Sequence, residues 1–243
     1  MKRLRIRNKT RKPDIEEPTG PPPTSSQHRH LDDELNSLQD KVLLMGGETE
    51  AALERAVQSL MQRDSELAQN VLANDDRVDR LEIEIDRQCI DIIALRQPAA
   101  RDLRFVITVA KMAPIIERIA DHASNIARAA IDLNNEPAAA SPADLQQMSD
   151  HALRMLHAAL DAFTSSDAVA AREVIRGDEV INNLYNHIFH DLIDQMTSQP
   201  ATATRNARLI FVAKHLERIG DYVTDICELT VYMAEAAFIK HYK

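Results

Sequence analysis

One ten-residue pattern, Glu-Arg-Ile-x-Asp with an Ile five residues further on, occurs twice in this 243-residue chain. Glu117-Arg118-Ile119-Ala120-Asp121 runs on to Ile126, and Glu217-Arg218-Ile219-Gly220-Asp221 runs on to Ile226 in matching register. The match extends outward: Asp75, Leu81 and Ile85 correspond to Asp178, Leu184 and Ile188, and Gln97-Pro98 corresponds to Gln199-Pro200. A chain that repeats itself over such a span folds as two copies of one supersecondary unit.

Apolar periodicity gives the content of each copy. Leu31, Leu35, Leu38, Val42 and Met45 recur at three- and four-residue steps, which mark one buried face of a helix. The pattern predicts helices over 31–60, 64–97 and 99–133, then over 143–163, 167–196 and 201–238. Asp64-Ser65 caps the second, the Gln-Pro pairs stop the second and fifth, and Pro114 kinks the third. At Gly46-Gly47 a kink or a close helix contact is expected. Aromatics are 4% of the chain and glycines number five, which disfavours sheet and leaves no glycine fingerprint for a nucleotide phosphate. The expected fold is all-α: two tandem repeated antiparallel three-helix bundles, over 29–135 and 136–243, behind a basic, proline-rich tail over 1–28.

Charge is divided unevenly. The net charge is −9, yet residues 1–30 hold eight Lys/Arg against three acids, so the body is strongly acidic. Such a surface repels nucleic acid and anionic lipid and attracts cations. Only the basic tail is suited to nucleic acid. No apolar run is long enough to span a bilayer and no apolar segment follows the basic start, so a cytoplasmic protein is expected, touching membrane only indirectly. Cys89 and Cys227 fall inside apolar helical patterns and read as buried free thiols.

Within the duplicated string, Glu117 and Asp121, like Glu217 and Asp221, stand four apart, with Asn125 or Asp225 four further on. These oxygens form one stripe along a helix, while Ile119, Ala123, Ile126, Ile219, Val223 and Ile226 point into the bundle. Like charges at this spacing repel, so either a cation or the neighbouring Arg118 and Arg218 must compensate. Asp75 with Asp79, and Asp178 with Asn182, offer more oxygens from the preceding helices. An all-oxygen set suits Mg²⁺, Mn²⁺ or iron better than zinc. No Glu is followed by His at the third position, as a ferritin-like di-iron site needs. His187 and His190 find no further ligand in Asn186 or Asp191, and no nucleophile–base pair stands out. The chain does not read as an enzyme.

These motifs, with Leu31-Asp32-Asp33-Glu34-Leu35, Leu44-Met45-Gly46-Gly47 and the run from Arg96 to Arg104, resemble the PhoU family of phosphate-transport regulators over about residues 30–243. The resemblance implies that Glu117, Asp121, Glu217 and Asp221 match the family's metal-binding motif. Asp102 and Arg104 match its Asp-Leu-Arg segment, expected to contact a partner. It also implies a negative regulator of the phosphate-starvation response and modulator of phosphate uptake. Such a protein acts as an adaptor between the ATPase of a phosphate ABC transporter and a sensor histidine kinase, as a homodimer or higher oligomer. The alternatives are a helical adaptor that binds no metal and a metal-dependent helical-bundle enzyme. Gly220 against Ala120 makes the two motifs similar but not equivalent.

Overall fold

The computed structural model describes residues 25–137 and 143–239. Their regular elements are α1 (Ser25–Met61), α2 (Ser65–Ala73), α3 (Asp76–Arg96), α4 (Ala100–Asn134), α5 (Ala143–Ser165), α6 (Ala168–Ser198) and α7 (Ala203–Glu235), with one 3₁₀ turn at Pro200–Thr202. Residues 1–24 of the expected tail and 138–142 of the linker lie outside the described residues.

Local chemistry sets the boundaries. Asp64 accepts a hydrogen bond from the Leu67 amide at 2.9 Å and so caps α2, as expected. Asp167 caps α6 in the same way through the amides of Val169 and Ala170. Gln97 ends α3 in a left-handed conformation immediately before Pro98.

Two boundaries differ from expectation. The helix predicted over 64–97 is interrupted at Asn74-Asp75, where the Asn74 side chain donates back to the Asn70 carbonyl at 2.7 Å. Asn and Asp compete with the helix backbone in this way, and apolar periodicity is blind to it. At the other end, α1 starts at Ser25, inside the stretch assigned to the tail, because no proline after Pro23 stops the helix from extending backwards. Pro114 does not break α4, which stays helical through Asn134.

Each unit is a three-helix bundle, α1 with α2/α3 and α4, and α5 with α6 and α7. The two join through α4 against α7 and α1 against α5. Both contacts are antiparallel: Arg208 near the start of α7 pairs with Glu136 just past α4, and Glu50 meets His157 while Gln39 meets Thr164. A pseudo-twofold axis therefore relates the units, with one continuous core that includes Leu38, Ile85, Ile119, Phe163 and Ile219. Cys89 and Cys227 are free and buried, and burial pushes both thiols up to about 12.

The glycine pair makes the expected close contact. A Cβ at Gly46 would stand 2.6 Å from Leu160 Cδ1 on α5, so the two helices approach here because a side chain is missing. Gly47 has nothing within 4 Å of such an atom. Gly47→Ala should therefore stabilise the protein by about 0.5–1 kcal/mol, through helix propensity alone. Urea unfolding measures this, and a lower midpoint would refute it.

Candidate functional site

The first carboxylate motif lies where α4 packs along α3. Glu117 is half-buried and Asp121 exposed, as the periodicity predicts. Burial raises the Glu117 carboxyl to about 7, with further repulsion from Asp121, Glu82 and Asp79 only partly offset by Arg118. Asp79 is raised by burial and then by Asp75, Asp121 and Asp76; Glu82 is raised by burial and then by Asp79 and Asp86. The structure thus brings Asp75 and Asp79 to the stripe, as the sequence proposes, and adds Glu82, which the sequence reading missed. Among the described residues, none of Asp79, Glu82, Glu117 and Asp121 has a Lys or Arg within 4.0 Å. Asp75 accepts from the Ser124 hydroxyl at 2.9 Å, and Asn125 is taken up by Arg128 at 2.8 Å.

The second motif is built on the same frame with opposite electrostatics. Lys214 Nζ donates to Glu217 at 2.6 Å, and Arg218 lies 3.4 Å from Asp221 and 4.0 Å from Glu217. Lys214 stands at the repeat position of Pro114, and its ammonium also lies 5.1 Å from the Tyr185 ring. Asn182 and Tyr185 replace the acids Asp79 and Glu82. Asp178 is only 1% exposed, with its Oδ2 accepting from Asn182 at 2.7 Å. A Cβ at Gly220 would come within 2.8 Å of Asp178 Oδ1. Asp178 therefore fills the space that the missing Gly220 side chain leaves. Asp225 lies exposed one turn beyond Asp221.

Between the motifs, His122 of α4 and His215 of α7 share a hydrogen bond at 2.8 Å, and His122 stacks on Tyr222. Burial lowers both imidazoles, His215 to about 4, so the bridge is neutral near pH 7. Arg118 lies 5.9 Å from the Tyr222 ring. Sequence reasoning missed this bridge, since no local spacing links residues 122 and 215.

Side chains at the first motif match a hard cation by charge and donor type, although among the described residues no three of their carboxylate oxygens, one from each residue, lie within 4.8 Å of one another. Those of the second already hold their counter-ions. Among the described residues, one group of three His, Cys, Asp or Glu has its ligand atoms within 4.8 Å of one another: Asp144, His187 and Asp191. This corrects the reading that His187 finds no further ligand in Asp191: Asp191 is in the group, and Asp144, from a different helix, completes it. His187 hydrogen-bonds Asp144, and that bond with the Asp191 charge raises the imidazole, so the cluster is an ion pair closed by a proton.

Asp102 and Arg104 are not part of either carboxylate cluster. They line a cleft at the start of α4, between the two bundles. Among the described residues, no helix is long and apolar enough to cross a membrane.

An all-helical pair of bundles related by a pseudo-twofold axis, each carrying a Glu-Arg-Ile-x-Asp stripe, defines a class of duplicated helical-bundle proteins. The PhoU domain model matches residues 42–130 and again 145–230, and the chain belongs to the PhoU family. It is 36% identical over 211 residues to the phosphate-specific transport system accessory protein PhoU homolog of Pseudomonas aeruginosa, covering 86% of each chain. It is 34% identical over 208 residues to the corresponding protein of Escherichia coli K12, again covering 86% of each. The crystal structure of PhoU from Pseudomonas aeruginosa superposes with a TM-score of 0.83 at 35% identity, over 85% of this chain and all of that one. The phosphate transport system regulatory protein PhoU from Streptococcus pneumoniae gives 0.82 at 28% identity, over 87% of this chain and all of that one.

Proposed function

We propose that this chain is a negative regulator of the phosphate-starvation response that also modulates phosphate uptake, making and breaking no covalent bond itself. The relatives' names place them in phosphate-specific transport, and the observation that carries the mechanism is the acidic face of α3 and α4, whose mutual repulsion Arg118 offsets only in part. Asp79, Glu82, Glu117 and Asp121 would hold a hard cation such as Mg²⁺, Mn²⁺ or iron, which when bound supplies the positive charge this face lacks. The carboxylates then present a docking surface to the transporter ATPase or the sensor kinase on the cytoplasmic side of the membrane. Glu117 gives up its proton when its repulsion is relieved, so docking and cation binding are linked.

The second motif supports a different role. Its Lys214 and Arg218 contacts make it a self-neutralised face that braces α7 without a cation. This part of the molecule fits the reading of a metal-free adaptor.

The function is tested by deleting the gene and following a phosphate-starvation reporter in phosphate-rich medium. The reporter should switch on. A reporter that stays silent would sink the regulatory reading.

A further inference from the structure

The cleft at the start of α4 has no part in the docking face and has features of its own. It measures about 470 Å³ and is walled by Phe105, Phe163 and Met233 from three helices. Phe105 and Phe163 stack with centroids 6.0 Å apart and planes 14° from parallel. Arg101 and Arg104 line the same space, facing a single acid, Asp102. Among the described residues neither arginine makes a hydrogen bond or ion pair, and Arg104 Nε is buried with no acceptor. A buried guanidinium nitrogen without an acceptor is costly, and the fork geometry of arginine matches an oxyanion.

The pseudo-twofold axis supplies an internal comparison. At the corresponding junction, where the start of α7 meets the end of α4, the chain provides acceptors for Arg208 and Arg63, although Arg205 there has a buried Nε as Arg104 does. Arg208 pairs with Glu136 and lies 3.7 Å from Asp132, while Arg63 donates to the carbonyls of Asn134 and Glu136. At the α4 end, no carboxylate does this for Arg101 or Arg104, and open volume stands in its place.

We propose that this cleft binds a small organic anion, a phosphate or carboxylate group carried on an aromatic or apolar body, with Arg101 and Arg104 holding the oxyanion. The cleft's size accounts for the organic part, since inorganic phosphate alone would leave most of its volume of about 470 Å³ unfilled. Arg104 precedes Glu117 by 13 residues, about 20 Å along a helix rising 1.5 Å per residue. The cleft can therefore fail its test without touching the docking-face reading.

The test is methyl NMR of the full chain with ¹³C-labelled methionine, titrated with phenyl phosphate, benzoate and inorganic phosphate. Met233 should shift saturably with phenyl phosphate or benzoate, at concentrations about tenfold below those at which inorganic phosphate acts. Met148, in the core elsewhere, should not move. Arg104→Gln should weaken binding about tenfold, and Arg104→Lys, which keeps the charge, should weaken it less. If phenyl phosphate acts and benzoate does not, the group is a phosphate; the reverse makes it a carboxylate, and either outcome supports the site. Three results overturn the proposal: no saturable shift at Met233 with either organic anion, a shift unchanged in the folded Arg104→Gln protein, or inorganic phosphate acting as well as the organic anions. An acidic peptide that binds where neither small anion does would give the cleft to a protein partner and likewise overturn it.

Discussion

Purified protein equilibrated with Mn²⁺ or Fe²⁺ should keep its metal when Asp221 is replaced by alanine and lose it when Asp121 is. The two aspartates occupy the same position of the repeat, so sequence alone predicts the same outcome for both. Their surroundings differ. Asp121 acts with Asp79 and Glu82 on Glu117, and none of the four has a Lys or Arg within 4.0 Å among the described residues. Asp221 has Arg218 at 3.4 Å and its neighbour Glu217 has Lys214 at 2.6 Å. A cation entering the second motif must displace an ammonium or guanidinium that is already in place, whereas at the first it relieves repulsion. Removing one carboxylate from the first motif should lower metal affinity by about tenfold or more. Elemental analysis of both variants after desalting measures this. Equal metal loss in the two variants would contradict the asymmetry.

The second large effect is on stability against pH. Glu117 in the folded protein titrates at about 7 against a reference of 4.5. Between these values the folded state binds the proton more tightly than the unfolded state. Its contribution to stability is therefore fully present below about pH 4.5, falls as pH rises to 7, and is flat above. The raised Asp79 and Glu82 act in the same direction. His122 and His215, lowered by burial, act in the opposite direction below their reference value of 6.5. The comparison that isolates Glu117 is thus between the native protein and Glu117→Gln in metal-free buffer. The variant should be more stable at pH 8 by of order 1 kcal/mol, allowing for solvent screening of a half-buried group, with the advantage shrinking toward pH 5. Urea unfolding at the two pH values checks this. An advantage that does not change with pH would remove Glu117 as its source.

Much of this architecture is written in the chain, for identifiable reasons. The doubled string and three-to-four periodicity give two three-helix units because both are local and survive without knowledge of packing. Caps at Asp64 and Asp167 are similarly local. The break at Asn74-Asp75 was not legible from periodicity, since Leu72, Val78 and Leu81 keep a helical rhythm across it while the Asn74 side chain ends α2. The membership of the first acidic cluster was half legible. Asp75 and Asp79 are marked by their spacing, but Glu82 enters only through the rotation of α3 against α4.

What separates the two motifs lies in substitutions that are visible in the sequence yet carry no meaning until the helices are placed. Pro114 against Lys214, Asp79 against Asn182 and Glu82 against Tyr185 together exchange an acidic cluster for an ion-paired one. Gly220 is the clearest instance. A glycine within a carboxylate motif reads as room for a ligand, and in the fold Asp178 from α6 fills the space its missing side chain leaves. The His122–His215 bridge and the Asp144–His187 pair each join residues from different helices, and no pattern along the chain could connect them.

The claim that the first acidic face does the regulating is tested most directly by returning variants to a strain lacking the gene and reading a phosphate-starvation reporter in phosphate-rich medium. Glu117→Gln combined with Asp121→Ala should leave the reporter on, as in the deletion. Glu217→Gln combined with Asp221→Ala, expressed at the same level, should silence it as the native chain does. Silencing by the first pair would contradict the account.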